Sequence, residues 1–351
     1  MSPNYYVPVL KVKRGEKDSL RAVASHLRQR ITPLLEIVER ESTKSSTIDE
    51  HLKTAFKNLS ESVWSYPRCF IDVREIAPDG PGAAEKVFQR AANLGMIFVP
   101  VTGISRTVDV KAALDNSHHG IALRLTRDEF EQINLLRAIN KFLRTYSIVP
   151  EQVDLIVDLG AINEMISPGI IALTNLFLEA VPYHNRWKTF TVSACAFPEH
   201  MGFVERHSHA FQEREEWIAW RDGLYFRRNE IPRLPTFSDC VIQHPKGVEG
   251  FDFRIMQVSA TIRYTMPEKW LFIKGESTKK TLPSEQFPSL ATQLAYGHLI
   301  RHYKGPDHCK GCFSIKSAAD GGKGLGSAEA WRRIGTIHHI TTVMDQLLSL
   351  P

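Results

Sequence analysis

Residues 68–103 read RCFIDVREIAPDGPGAAEKVFQRAANLGMIFVPVTG. The stretch opens on the apolar run Arg68–Glu75 and closes on another, Met96–Gly103. Between them Ala83–Leu94 has helical spacing and stops at Gly95, a residue type that ends helices in the left-handed conformation. A strand, a helix and a strand in so short a segment make a βαβ unit, which lays its two strands side by side and parallel.

The unit repeats in both directions. Upstream, strand one is Val7–Lys13, with a helix near Lys17–Arg30. Strand two is Thr32–Glu39, with a helix near Thr47–Ser62 capped by Ser46 or Thr47 and carrying Asp49 and Glu50 in its first turn. Downstream, a helix near Val108–Asn116 follows strand four, and strand five, Gly120–Thr126, precedes a helix near Phe130–Tyr146. Strand six is Val153–Leu159, with a helix near Gly169–Val181, and strand seven is Thr189–Ala196.

So many consecutive units predict an α/β fold, a (β/α)8 TIM-like barrel, rather than an open doubly wound sheet; no G-x-G-x-x-G follows the first strand. The eighth strand is ambiguous between Asp239–Gln243, within the run Phe237–Pro245, and Trp270–Lys274. Gln257–Thr265 and Lys269–Gly275 resemble a hairpin, and a last barrel helix is expected at Ser289–His302. The expected division is a barrel over 1–303, with an insertion over about 198–235 after strand seven, and a C-terminal extension over 304–351. Ser317–Gly326, rich in glycine, reads as a mobile loop.

Chemistry in such barrels gathers at the C-terminal strand ends. Those ends carry Lys11 and Lys13, Glu36, Asp72 and Arg74, Arg124, Asp158 and Ser193. Buried charges must be paired or must hold a ligand. Lys11, Lys13, Arg74 and Arg124, with Lys274 and Arg332 elsewhere, are candidates for binding phosphate. Glu36, Asp72 and Asp158 are candidate catalytic carboxylates that could hold Mg or Mn. The competing interpretation is an ion-pair network that fills the barrel top and binds nothing.

The extension contains His308-Cys-Lys-Gly-Cys312 and, further on, His338-His339. Two thiols two residues apart plus histidines are zinc-ligand chemistry, so Cys309, Cys312, His338 and His339 form a candidate zinc site, stiffening a lid. A redox pair is disfavoured, because the segment reads as a loop whereas thioredoxin-type pairs open a helix. Trp331-Arg332-Arg333 offers a basic lip for phosphates, or a tryptophan that packs the extension down.

The segments Tyr6-Val-Pro-Val-Leu-Lys11, Thr32-Pro33-Leu-Leu-Glu36, Trp270-Leu-Phe-Ile-Lys274-Gly275 and Trp331-Arg332-x-x-Gly335-Thr-x-His338-His339 together resemble the beta family (beta protein) of bacteria and phages. The resemblance spans nearly the whole chain. It implies a barrel and a role in phage–host conflict, without implying a reaction or catalytic residues, and it does not extend to the Cys309/Cys312 pair as a family feature.

Composition sets the remaining bounds. The chain has 351 residues, 43% hydrophobic and 24% charged, with a formal charge of +5. This is ordinary for a globular protein and permits a polyanionic partner. No apolar stretch reaches the roughly 18 residues of a membrane span, so no membrane partner is expected. The N-terminus lacks a secretory pattern. Cys69, Cys195 and Cys240 lie in apolar runs, as reduced core residues of a cytoplasmic protein would. The functional expectation is a barrel binding a nucleotide or nucleic acid through phosphate, acting as a sensor or partner subunit in an anti-phage system. The alternatives are a metal-dependent phosphodiesterase or nuclease, and an interaction scaffold docking a partner protein through Pro198–Arg233.

Overall fold

Strands of a parallel sheet are covered on both faces, so their sequences are near-continuous apolar runs. The computed structural model bears this out; it describes residues 5–40, 47–132, 134–162, 164–246 and 258–351. In chain order its strands are β1 (Tyr6–Lys11), β2 (Leu34–Glu36), β3 (Cys69–Asp72), β4 (Phe98–Thr102), β5 (Ile121–Thr126), β6 (Val153–Ala161), β7 (Thr189–Cys195), β8 (Ser208–Glu213), β9 (Thr236–Asp239), β10 (Ser259–Thr265) and β11 (Lys269–Ser277). Strands β1 to β7 and then β9 close a barrel in which every neighbouring pair is parallel. The fold is therefore the (β/α)8 TIM-like barrel.

The eighth barrel strand is Thr236–Asp239, pairing with β7 through Ser193↔Ser238 and with β1 through Val7↔Ser238. Trp270–Lys274 belongs instead to β11, whose antiparallel partner β10 completes the expected hairpin. Gln257, the expected start of that hairpin, lies outside the described residues, as does Ser46.

Residues paired across parallel strands share a face, so the register identifies the lumen. Arg124 on β5 bonds to Glu36 on β2 and Asp72 on β3, neither of them a neighbour of β5, and only the lumen offers that path. The opposite end of the barrel is also closed by charge. Arg68 makes a two-pronged bond to the fully buried Asp154 on β6, at 2.7 and 2.8 Å, and Thr189 donates to the same carboxylate.

The chain forms two compact units, and the second is larger than the extension expected at 304–351. The barrel unit comprises residues 1–13, 28–195 and 215–240; the second comprises 14–27, 196–214 and 241–351. The insertion after β7 is shared out. Its first part supplies β8 to an antiparallel sheet ordered β10-β11-β8, while Trp217 and Trp220 pack against Phe237 of β9 in the barrel unit, 1% and 3% exposed. Two tryptophans of Pro198–Arg233, the segment expected to dock a partner, are thus core.

In the second unit, Ala260, Ile262 and Tyr264 of β10 and Leu271 and Ile273 of β11 form one apolar cluster with residues of the helices Pro283–Ala295, Lys310–Ala319 and Ala328–Leu348. Ser317–Gly326 begins inside the second of these helices; the turn follows it, with Gly321 and Gly324 at positive φ.

Local chemistry sets the ends of the barrel helices. Thr47 forms a capping box with Glu50 at the start of Ile48–Phe56. Thr47→Ala is expected to lower stability by about 1 kcal/mol, read as a lower urea midpoint with unchanged slope.

Candidate functional site

The barrel mouth is built by strand ends, as the repeat predicts. Lys11, Glu36, Asp72, Arg124 and Asp158 converge in the lumen, with Arg74 on the turn that follows β3. Arg124, 2% exposed, is the hub. Its Nε and Nη2 donate to Asp158 Oδ2 at 2.9 and 2.7 Å, and its Nη1 lies 2.7 Å from both Glu36 Oε1 and Asp72 Oδ2. A guanidinium offers a planar fork of five donors, which is why one arginine can hold three carboxylates.

Each carboxylate has further partners. Asp72 Oδ1 accepts from Arg106 Nη1 at 2.7 Å and from the Arg74 amide at 3.0 Å. Burial alone would raise the Asp72 pKa, but Arg106 and Arg124 outweigh it and hold the carboxyl well below the usual range. Asp158 Oδ1 accepts from the Gly160 amide, and Lys11 pairs with Glu75 and stands 4.0 Å from Glu36. Among the described residues Lys11, Arg74, Arg106 and Arg124 stand against Glu36, Asp72, Glu75, Asp158 and Asp109, the last 3.6 Å from Arg106, so the carboxyl groups outnumber the bases by one.

Arg74 differs from the others. Its side chain is 41% exposed, and its one ion contact among the described residues is to Glu36 at 3.9 Å, too long for a hydrogen bond. On the β7–β9 side of the lumen the buried hydroxyls of Thr191, Ser193 and Ser238 make no hydrogen bond to protein among the described residues. Beside the mouth, a groove of about 610 Å³ is lined by Gly103, Arg106, Arg137, Lys141 and Tyr146, among others.

Arg106 escaped sequence reasoning because it sits in the turn beyond the end of β4, whereas Glu75 closes the expected strand Arg68–Glu75 but was not singled out, and it lies in the 3-10 turn after β3. A basic residue closely following a barrel strand is the signal that would have found Arg106. Lys13 lies just past β1. Lys274 and Arg332 both fall in the second unit. Lys274 Nζ donates to the carbonyls of Met201 and Val204, and Arg332 lies 3.7 Å from Glu16. Trp331 stacks on Phe287 and donates to Leu325 O, a packing role.

The second unit holds a separate cluster. His308, Cys309 and His338 bring one ligand atom each within 4.8 Å of one another, an arrangement that can hold a metal. Cys312 Sγ is 3.3 Å and Cys309 Sγ 3.9 Å from His338 Nδ1. Cys312 and His339, both expected as ligands, lie outside this group of three. Successive helical residues point about 100° apart, so two adjacent histidines cannot face one ion. His339 instead places Nδ1 2.9 Å from Thr265 Oγ1. His308 is the histidine the sequence reading set aside.

The C-x-x-C also opens a helix rather than lying in a loop. Cys309 is the N-cap of Lys310–Ala319, its sulfur accepting from the Cys312 amide. The neighbouring Cys312 thiol, His338 and the Cys312 amide hold the Cys309 thiol below the ordinary cysteine range against burial. Among the described residues no cysteine is in a disulfide, and no helix is long and apolar enough to cross a membrane.

Among curated proteins, none matches the chain. The family model described as Beta protein matches residues 6–345, nearly the whole length of a chain whose barrel and second unit have now been described, and the chain belongs to that family.

Proposed function

We propose that the barrel binds a phosphate-bearing ligand, a nucleotide or the backbone of a nucleic acid, without turning it over. Arg74 carries this reading: a half-exposed guanidinium at the barrel mouth, without a side-chain hydrogen bond among the described residues. A guanidinium matches two phosphate oxygens with two parallel N–H bonds. Arg137 and Lys141 along the adjoining groove would take further phosphates of a longer ligand. The buried hydroxyls of Ser193 and Ser238 are donors in want of acceptors.

Binding is preferred to hydrolysis on electrostatic grounds. A divalent ion on Glu36, Asp72 and Asp158 would compete with the Arg124 guanidinium that already bridges all three. Lys11 and Arg124, expected to meet the ligand directly, would instead position the rim. Within the beta protein family, a non-catalytic barrel of this kind fits a sensor or partner subunit acting against phage. Five cysteines without a disulfide fit a reducing compartment such as the cytoplasm. For the second unit, thiolate and imidazole donors favour zinc over Mg or Mn.

The test is calorimetric titration with ATP, ADP and a short single-stranded oligonucleotide. Arg74→Ala should weaken binding of all three at least about tenfold, the loss of one charge-assisted contact. Arg137→Ala with Lys141→Ala should weaken the oligonucleotide alone. Absence of binding by any phosphate ligand would sink the reading.

A further inference from the structure

We propose that His308, Cys309, Cys312 and His338 form a closed, four-coordinate zinc site that clamps the helix Lys310–Ala319 onto the helix Ala328–Leu348. The proposal rests on the zinc reading above and deepens it, by naming the full ligand set and giving the ion a structural role.

The two sulfurs are arranged as a knuckle. Cys309 caps the helix and Cys312 lies in its first turn, with the Cys312 amide 3.3 Å from Cys309 Sγ. An amide donating to a ligating sulfur stabilises the thiolate that zinc requires. Bond lengths of about 2.3 Å to sulfur and 2.0–2.1 Å to nitrogen at a tetrahedral angle place S and N about 3.6 Å apart. The distances from His338 Nδ1 to the two sulfurs, 3.3 and 3.9 Å, bracket that separation. Cys312 lies outside the group of three whose ligand atoms are within 4.8 Å of one another, so its sulfur closes on the ion as the fourth ligand when the ion binds.

The outer shell fits a metal-bound imidazole. His338 Nε2 lies 2.7 Å from the carbonyl oxygen of Thr265, which calls for a proton on Nε2 and leaves the Nδ1 lone pair facing the sulfurs. The ring is held flat by Tyr264, stacked at 3.9 Å and 16°. The Tyr264 hydroxyl is 3.7 Å from Cys312 Sγ. His308 supplies one nitrogen to the cluster; whichever it is, the other lies 3.5 Å from an oxygen, Asp345 Oδ2 by Nδ1 or Thr342 Oγ1 by Nε2.

Two features make the site structural. Four protein donors leave no open position for water or substrate. Cys312 and His338 are fully buried, so the ion would sit between two packed helices that share the apolar cluster of Cys312, Ile315, Trp331 and Ile334.

The test uses the full chain purified without added metal. Elemental analysis should find one zinc per molecule, and a chelator should lower the melting temperature. If no metal co-purifies and added zinc does not bind, the zinc reading itself fails. The ligand set is tested separately. Cobalt substitution should give the absorption of a tetrahedral site with two thiolates, and His308→Ala should weaken zinc by more than the roughly 10–100-fold of an outer-shell change, while His339→Ala should not. A five- or six-coordinate cobalt spectrum, or unchanged affinity in His308→Ala, would overturn the four-ligand site while leaving zinc binding intact. A Cys309–Cys312 disulfide in freshly purified protein would overturn both.

Discussion

Replacing Arg124 by methionine will destabilise the barrel by about 3–5 kcal/mol, the range for removing one partner from a buried ion cluster. Methionine preserves the unbranched length and most of the volume, so the loss is electrostatic rather than a cavity. What remains is three carboxylates in a closed lumen with unequal support. Asp72 keeps Arg106, and Glu36 keeps Lys11 and Arg74 at about 4 Å. Among the described residues Asp158 keeps only the Gly160 amide. Adding Asp158→Asn should therefore restore part of the lost stability, measured by urea unfolding, whereas the same change in the wild-type background should destabilise.

The pH dependence should change with it. In the wild type the folded Asp72 carboxyl has a depressed pKa, so in the acid range the unfolded chain binds more protons than the folded one. Stability from this group is present above the unfolded value of about 3.9 and is lost as pH falls toward the folded one. In Arg124→Met the remaining carboxylates face one another in a low-dielectric lumen, which raises their pKa values. The folded variant then binds the extra protons, so the deficit relative to wild type should narrow as pH falls from neutral toward 4. A deficit that stays constant would mean that the arginine matters for shape and not for charge.

Seven barrel strands were legible because buried parallel strands are written as apolar runs punctuated by caps and glycines. The eighth was not, for a physical reason. Thr236-Phe-Ser-Asp239 is four residues long and turns Thr236 and Ser238 toward a polar lumen, so neither length nor hydrophobicity marks it. Trp270–Lys274 advertised itself more strongly because it lies at the centre of another sheet. The second unit was hidden by its construction from three separated pieces of chain, among them the helix Arg14–Ala22, whose Arg14 makes a two-pronged bond to Glu329. At the mouth, strand-end counting found Glu36, Asp72, Arg124 and Asp158 but could not say that they satisfy one another. That is a matter of distance across the lumen, invisible to spacing along the chain. The choice between His308 and His339 likewise turned on helical phase, and only the start of the helix at Cys309 put His308 beside Cys309 and His338.

Gly311→Ala should be the most disruptive change of a single methyl group in the second unit. A Cβ at Gly311 would stand 2.5 Å from the Ile334 carbonyl oxygen and 3.2 Å from the His338 amide nitrogen. Both obstacles are backbone of the facing helix, so neither can rotate away, and the two helices must part. Overpacking of this kind costs about 1–3 kcal/mol. Here it should also draw Cys309 and Cys312 away from His338, because the glycine lies between the two sulfurs and packs on the helix turn that carries the imidazole. The expected result is a lower melting temperature together with faster loss of the proposed zinc to a chelator. Gly82→Ala in the helix Pro81–Asn93 is the matched comparison: its Cβ meets nothing within 4 Å, and the exchange should stabilise by about 0.5–1 kcal/mol through helix propensity. If Gly311→Ala lowers stability equally in zinc-loaded and chelator-treated protein, the close approach is a packing requirement alone. If the penalty shrinks once zinc is removed, the ion is what holds the helices close enough for the methyl group to matter.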